Sequence, residues 1–201
     1  EYFKDEEVSL VVTLDCGMMK HDEIAMANSL GMEVIVIDHH HVPEVLPEAY
    51  AIINPKLLDE TYPFRELCGA GTTFKVVEAL YRRLKPERSE QLKWLLDVVA
   101  TGTVADVMPL IGENRVLVKY GLMVLGKNRR PGFQAMIETG KLLFDDRTPP
   151  TARDIGFQIA PRINAASRMG DPIQAHLMLY EKDSESAEGY ARDLEELNTQ
   201  R

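Results

Sequence analysis

The sequence of 201 residues holds only two cysteines, Cys16 and Cys68, and neither sits in a Cys-x-x-Cys pair. That argues against a disulfide framework or a zinc knuckle, and a reducing cytoplasm is the expected compartment. Long apolar runs are also missing, so no membrane span is expected. The first residues, Glu1-Tyr2-Phe3-Lys4-Asp5, carry neither a basic nor an apolar region, so no signal peptide is expected there. Basic charge is in deficit. Against 32 Asp and Glu stand 23 Lys and Arg, a net charge of −9. A protein held to nucleic acid by a uniformly basic surface is thereby disfavoured, but a local basic groove or carboxylates gathered around metal ions are not. No internal repeat and no low-complexity tract is present.

What is present suits a globular protein: 45% hydrophobic and 27% charged residues. A chain of this length buries roughly 70% of its unfolded surface and needs no metal or disulfide to fold. The apolar run Val8–Leu14 reads as a strand covered on both faces. Ile24, Ala25, Ala27 and Leu30 then recur at helical spacing, and Val34-Ile35-Val36-Ile37 reads as a second strand. Strand, helix and strand predict a right-handed crossover and a parallel pair. Ala51-Ile52-Ile53 reads as a third strand, and helices are expected over 71–84, 88–101, 113–126, 131–138, 172–180 and 184–199. A Pro-rich loop is expected over 145–151, with Thr151 as a helix N-cap. The fold class is α/β, a parallel sheet with flanking helices, followed by a mainly helical part. The strand at Val8 with only a polar stub before it, and a last helix without a closing turn, give the expectation of a fragment.

Both of the first strands deliver polar residues at their C-terminal ends, where open α/β sheets place ligands. The first ends in Asp15-Cys16-Gly17 and the second in Asp38-His39-His40-His41. Imidazole and carboxylate together suit a borderline divalent cation such as manganese or iron. Successive strand residues point to opposite faces, so the triplet converges on one site only if the strand has ended by Asp38. His41 reads as solvated. Asp15 reads either as a metal ligand beside His39 or as a helix N-cap. In the apolar stretch 96–109, Asp106 lies at the expected helix end and reads as a ligand, whereas Asp97 lies near its start and reads as structural. Gly69-Ala70-Gly71 reads either as an anion-binding helix start or as a close packing contact. The stretch Pro161–Asp171 carries Arg162 and Arg168, which read as phosphate contacts or as a solvated loop offsetting acidic surface. Lys127, Arg129 and Arg130 read as a solvated turn, and Trp94 as core.

In one order the chain holds Asp15-Cys16-Gly17, Asp38-His39-His40, Gly69-Ala70-Gly71, Gly102-Thr103-Val104-Ala105-Asp106, Gly112-Glu113-Asn114-Arg115 and Pro161-Arg162-Ile163-Asn164-Ala165. This set resembles the DHH phosphoesterase superfamily, and within it the RecJ-type exonucleases specific for single-stranded DNA. The resemblance covers the chain from about residue 8. It implies a two-metal site served by Mn2+ or Mg2+, with Asp15, His39, His40 and Asp106 as metal ligands and catalytic residues and Asp38 orienting a histidine. It also implies that Arg162, Asn164 and Arg168 contact DNA phosphates, although the family often has Gly where this chain has Ser167.

The implied activity is 5′-to-3′ hydrolysis of single-stranded DNA in repair and recombination. Helicase and single-strand-binding protein are implied partners. Residues 1–180 are expected to be a partial DHH catalytic domain without the superfamily's first Asp-x-Asp motif, which leaves the metal site incomplete and turnover weak. Residues 181–201 are expected to start the helix leading to an absent nucleic-acid-binding domain. Two other readings remain open here: a DHH-type phosphodiesterase for short oligonucleotides or cyclic dinucleotides, and a non-catalytic binding or scaffold module.

Overall fold

A computed structural model describes residues 2–144 and 147–200. Asp145 and Asp146, part of the expected Pro-rich loop, lie outside the described residues. The chain divides into two units. The first comprises residues 1–92 and 108–115, the second residues 93–107 and 116–201.

The first unit is a parallel sheet in the order β1 (Leu10–Leu14), β2 (Glu33–Ile37), β3 (Ala51–Ile53). Helix α1 (Tyr2–Asp5) precedes it, and helix α2 (His21–Ser29) is the crossover from β1 to β2. Both parallel pairings agree with the strand–helix–strand reading. Register sets Leu14 opposite Ile37 and Ile37 opposite Ile53, so all three strands stop at one level. Beyond that level, Asp15 donates its amide to Ile37 and Asp38 donates its amide to Ile53, at 2.9 and 3.0 Å.

The core of this unit is Met18, Ile24, Val34 and Val36, with Val11 and Ile52 packed on it. Only central β2 is buried as expected. Strand β1 runs along the sheet edge and exposes Leu10, Val12 and Leu14, whereas Val11 and Thr13 face inward. An apolar run without alternation does not report which of its faces is covered.

Helix α3 (Gly69–Leu84) packs on β1 and β2. Helix α5 (Gly112–Gly126) begins in the first unit. There Glu113 accepts a hydrogen bond from the Tyr62 hydroxyl at 2.6 Å and pairs with Lys75 at 3.0 Å. Lys75 also pairs with Glu78.

The second unit is helical. A 3-10 segment, Pro86–Leu95, leads from the first unit into helix α4 (Leu96–Ala105). The helices α6 (Pro131–Thr139), α7 (Ala152–Asp154), α8 (Ala160–Met169), α9 (Ile173–Tyr180) and α10 (Ser184–Gln200) follow. Its core is built on Leu125, Phe133, Met136, Ile155, Met178 and Leu194. Helix α10 packs against α6, α8 and α9.

Thr151 caps α7 as expected, in a reciprocal capping box with Asp154. The stretch from Pro161, read as a possible loop, is instead helical through Met169. Pro161 sits within a continuous helical run, and its missing N–H interrupts the ladder there. The ladder just before it widens into a π turn over Ile155–Ile159. Both Arg162 and Glu195 lie on this unit's helices and form a two-point ion pair at 2.5 and 3.1 Å.

The Tyr62 contact has a pH signature. Burial, and then its bond to the Glu113 carboxylate, push the phenol up to about 12. A raised folded pKa means that the stability is complete below pH ~10 and lost as pH climbs toward ~12. Tyr62→Phe should therefore melt below the wild type at pH 8, with the gap closing between pH ~10 and ~12 in thermal melts. A gap that stays constant through that window would contradict the role of this hydroxyl.

Candidate metal centre

The three strand ends hold the polar residues that the sequence singles out. Because β2 ends at Ile37, Asp38 and the two histidines lie beyond the pleat and can converge. Asp38 is buried and accepts four hydrogen bonds. Its Oδ2 takes the Met18 amide at 3.1 Å. Its Oδ1 takes the amides of His39 and His40 at 2.8 and 3.2 Å and the His40 Nδ1–H at 2.7 Å. Burial pushes this carboxyl up, but the His40 ring and the three amides outweigh it and hold it below the usual aspartate value. With Nδ1 committed to Asp38, His40 presents Nε2 outward. Buried Asn54 adds a second clamp, donating to the His40 carbonyl at 3.0 Å while accepting from the Lys56 amide at 2.9 Å.

Asp15 meets this turn from the adjacent strand end. The Nε2 of His39 lies 3.1 Å from Asp15 Oδ1. The His39 side chain is 6% exposed, whereas those of Asp15 and His40 are 61% and 57% exposed. Asp15 is thus the exposed member of its pair with buried His39. One ligand atom each from Asp15, His39 and His40 falls within 4.8 Å of the others. A carboxylate oxygen and two imidazole nitrogens, with one imidazole pinned by an aspartate behind it, form a donor set that fits a divalent cation.

Two features of Asp15 were not legible as such. Its φ is +64°, a left-handed conformation that costs an aspartate roughly 1 kcal/mol or more. The space that a Cβ would occupy at Gly69 is also filled by the Asp15 side chain, with Cγ 2.5 Å from that position and Oδ1 closer still. The first glycine of Gly69-Ala70-Gly71 therefore leaves room for the Asp15 carboxylate where α3 starts. Of the two readings of that motif, close packing describes Gly69. The only signal in the sequence was a glycine where a better helix former would fit.

The other candidates lie in the second unit. Asp106 is exposed and caps the C-terminus of α4. Asp97 is buried and receives Arg130 Nε and Nη2 at 3.0 and 3.1 Å, a structural pairing. Asn164 and exposed Arg168, four residues apart on α8, share a face. Arg162, two residues before Asn164, points away from that face. Its guanidinium is taken by Glu195 and the Gln158 carbonyl, so a phosphate contact there would require breaking that pair.

The family model for the DHH family, N-terminal domain, matches residues 1–103. The chain belongs to the DHH family. It is 38% identical over 198 residues to the single-stranded-DNA-specific exonuclease RecJ of Bacillus subtilis strain 168, covering 98% of this chain and 24% of that protein. It is 39% identical over 201 residues to the same exonuclease of Escherichia coli K12, covering 96% of this chain and 34% of that one. The chain therefore spans between a quarter and about a third of the length of these curated relatives.

A crystal structure of exonuclease RecJ bound to manganese superposes with a TM-score of 0.83 at 33% identity, over 99% of this chain and 49% of that one. RecJ from Thermus thermophilus in complex with Mg2+ gives 0.72 at 32% identity, over 96% of this chain and 26% of that one. These matches bear out the α/β fold class, and the metals named in these relatives are the two that the resemblance implies. Among the described residues, no helix is long and apolar enough to cross a membrane.

Two substitutions test this account of the DHH site. Asp38→Ala strands three amides and one imidazole N–H, and should lower unfolding stability by about 2–4 kcal/mol in urea denaturation. A loss under about 1 kcal/mol would show that water replaces the carboxylate at no cost. Gly69→Ala should displace Asp15 and weaken manganese binding about tenfold or more in calorimetry, with far-UV circular dichroism unchanged. Wild-type affinity in Gly69→Ala would refute the space argument.

Proposed function

We propose that this chain carries the catalytic core of a metal-dependent phosphodiesterase that degrades single-stranded DNA as an exonuclease. The observation that carries it is the convergence of Asp15, His39 and His40 at the ends of adjacent parallel strands, within 4.8 Å. The likeness to RecJ supports DNA rather than a small nucleotide as substrate.

A divalent cation bound there would supply Lewis acidity toward the phosphate and a water activated for attack. Asp15 Oδ1, His39 Nε2 and His40 Nε2 would hold it, and Asp106 is proposed as a further ligand. Asp38 keeps a proton on His40 Nδ1, which fixes the ring's tautomer and leaves Nε2 as its donor atom. Asn164 and Arg168 are proposed as contacts to substrate phosphates, where a positive charge offsets the anion. Degradation from the 5′ end, a place in DNA repair and recombination in the cytoplasm, and work beside a helicase and a single-strand-binding protein complete the proposal.

The test is manganese-dependent nucleotide release from single-stranded DNA by the full-length protein. Wild-type activity should vanish with chelator and return with added Mn2+. Asp15→Ala should reduce it about a hundredfold or more, with manganese affinity falling in parallel in calorimetry. Undiminished hydrolysis by Asp15→Ala would remove the assignment. A preference for dinucleotides over long strands would move the chain to the short-oligonucleotide branch of the DHH family.

A further inference from the structure

The expected core tryptophan is not core. Trp94 is half-buried, and two cations flank its ring. The Arg129 guanidinium carbon lies 4.0 Å from the ring centroid and Lys93 Nζ lies 5.5 Å from it. Arg129 and Lys93 are themselves exposed. The turn that carries Arg129 is not loosely solvated either. Its neighbour Arg130 is clamped by two bonds to buried Asp97 and one to the Leu179 carbonyl at 3.2 Å. Asp97 lies in the first turn of α4, three residues after Trp94. The pair thus holds the α5–α6 turn against the start of α4, which delivers Arg129 onto the indole. The same pair neutralises Arg130 and leaves the charges of Arg129 and Lys93 facing solvent. All of these residues belong to the second unit, whereas Asp15, His39 and His40 belong to the first.

We propose that Trp94, Arg129 and Lys93 form an accessory contact for single-stranded DNA, outside the metal centre. This rests on single-stranded DNA being the substrate, as proposed above. Arg129 covers one face of the indole, so a base stacks on the guanidinium or displaces it, while Arg129 and Lys93 meet the phosphates. On a protein of net charge −9, a pair of exposed cations beside an aromatic ring is a local point of attraction for a polyanion. A duplex hides its base faces, so an aromatic contact of this kind discriminates in favour of the single strand.

Trp94 is the only tryptophan of the chain, so its fluorescence reports this patch alone. The probe is an oligothymidylate of about fifteen nucleotides, titrated with chelator present so that neither cleavage nor metal bridging contributes. Binding is read in parallel from the anisotropy of a labelled strand. Saturable quenching of Trp94 is expected. The double variant Lys93→Ala, Arg129→Ala should bind about three- to tenfold more weakly, with the log–log salt slope reduced by about 1.4 for two lost phosphate contacts. A duplex of the same length should quench less. DNA binding with silent Trp94, wild-type affinity in the double variant, equal quenching by duplex, or no binding at low salt would each overturn the proposal. Manganese-dependent hydrolysis by the wild type, assayed separately, keeps the two readings apart. Hydrolysis by the full-length protein with silent Trp94 sinks only the patch, whereas quenching without hydrolysis by the full-length protein sinks only the nuclease reading.

Discussion

The carboxylate of Asp38 is the interaction on which the metal centre depends. An ionised carboxylate without partners could not stay buried at the end of a central strand, because desolvation costs several kcal/mol. Four donors meet it, and each belongs to a segment that the site needs in place. The Met18 amide ties down the loop after β1, which begins with Asp15. The His39 and His40 amides curl the chain out of β2, and the His40 ring is turned so that its far nitrogen is free to ligate. One buried charge thereby couples two strand ends and fixes one tautomer.

The second constraint is space. Asp15 holds an unfavourable left-handed backbone, and its side chain fills the volume left empty at Gly69. Such strain persists only where the surroundings over-determine it, and it gathers at functional sites. Gly17, two residues on, has φ +125°, and a Cβ there would lie 2.8 Å from Thr13 Oγ1. The turn after β1 is therefore tight at both of its ends: glycine permits one, and a glycine of α3 makes room at the other.

The helical unit follows a different logic. Its loops and helices are held by arginine–carboxylate pairs with two-point geometry, Arg130 on Asp97 and Arg162 on Glu195. Both arginines look in the sequence like candidates for substrate or solvent, since an arginine in a polar stretch reads the same whether its carboxylate lies 33 residues away or in a ligand. Pairing across such a separation is decided by how helices pack, which periodicity does not report.

Local pattern was enough for the parallel βαβ unit and for singling out Asp15, His39 and His40, which the fold brings together at the strand ends. Apolar runs broken by Asp and His are short-range signals, and parallel pairing follows from chain handedness. The sequence also determined the DHH family, through ordered motifs. Tertiary structure alone decided that β1 is an edge strand with one open face, that Asp15 is exposed and His39 buried, that Asp38 serves both strand ends, and that Gly69 is there for Asp15. It also decided that Trp94 carries cations instead of filling a core. Each of these depends on what approaches a residue from elsewhere in the chain, and burial, pairing and free volume are properties of that approach rather than of the residue.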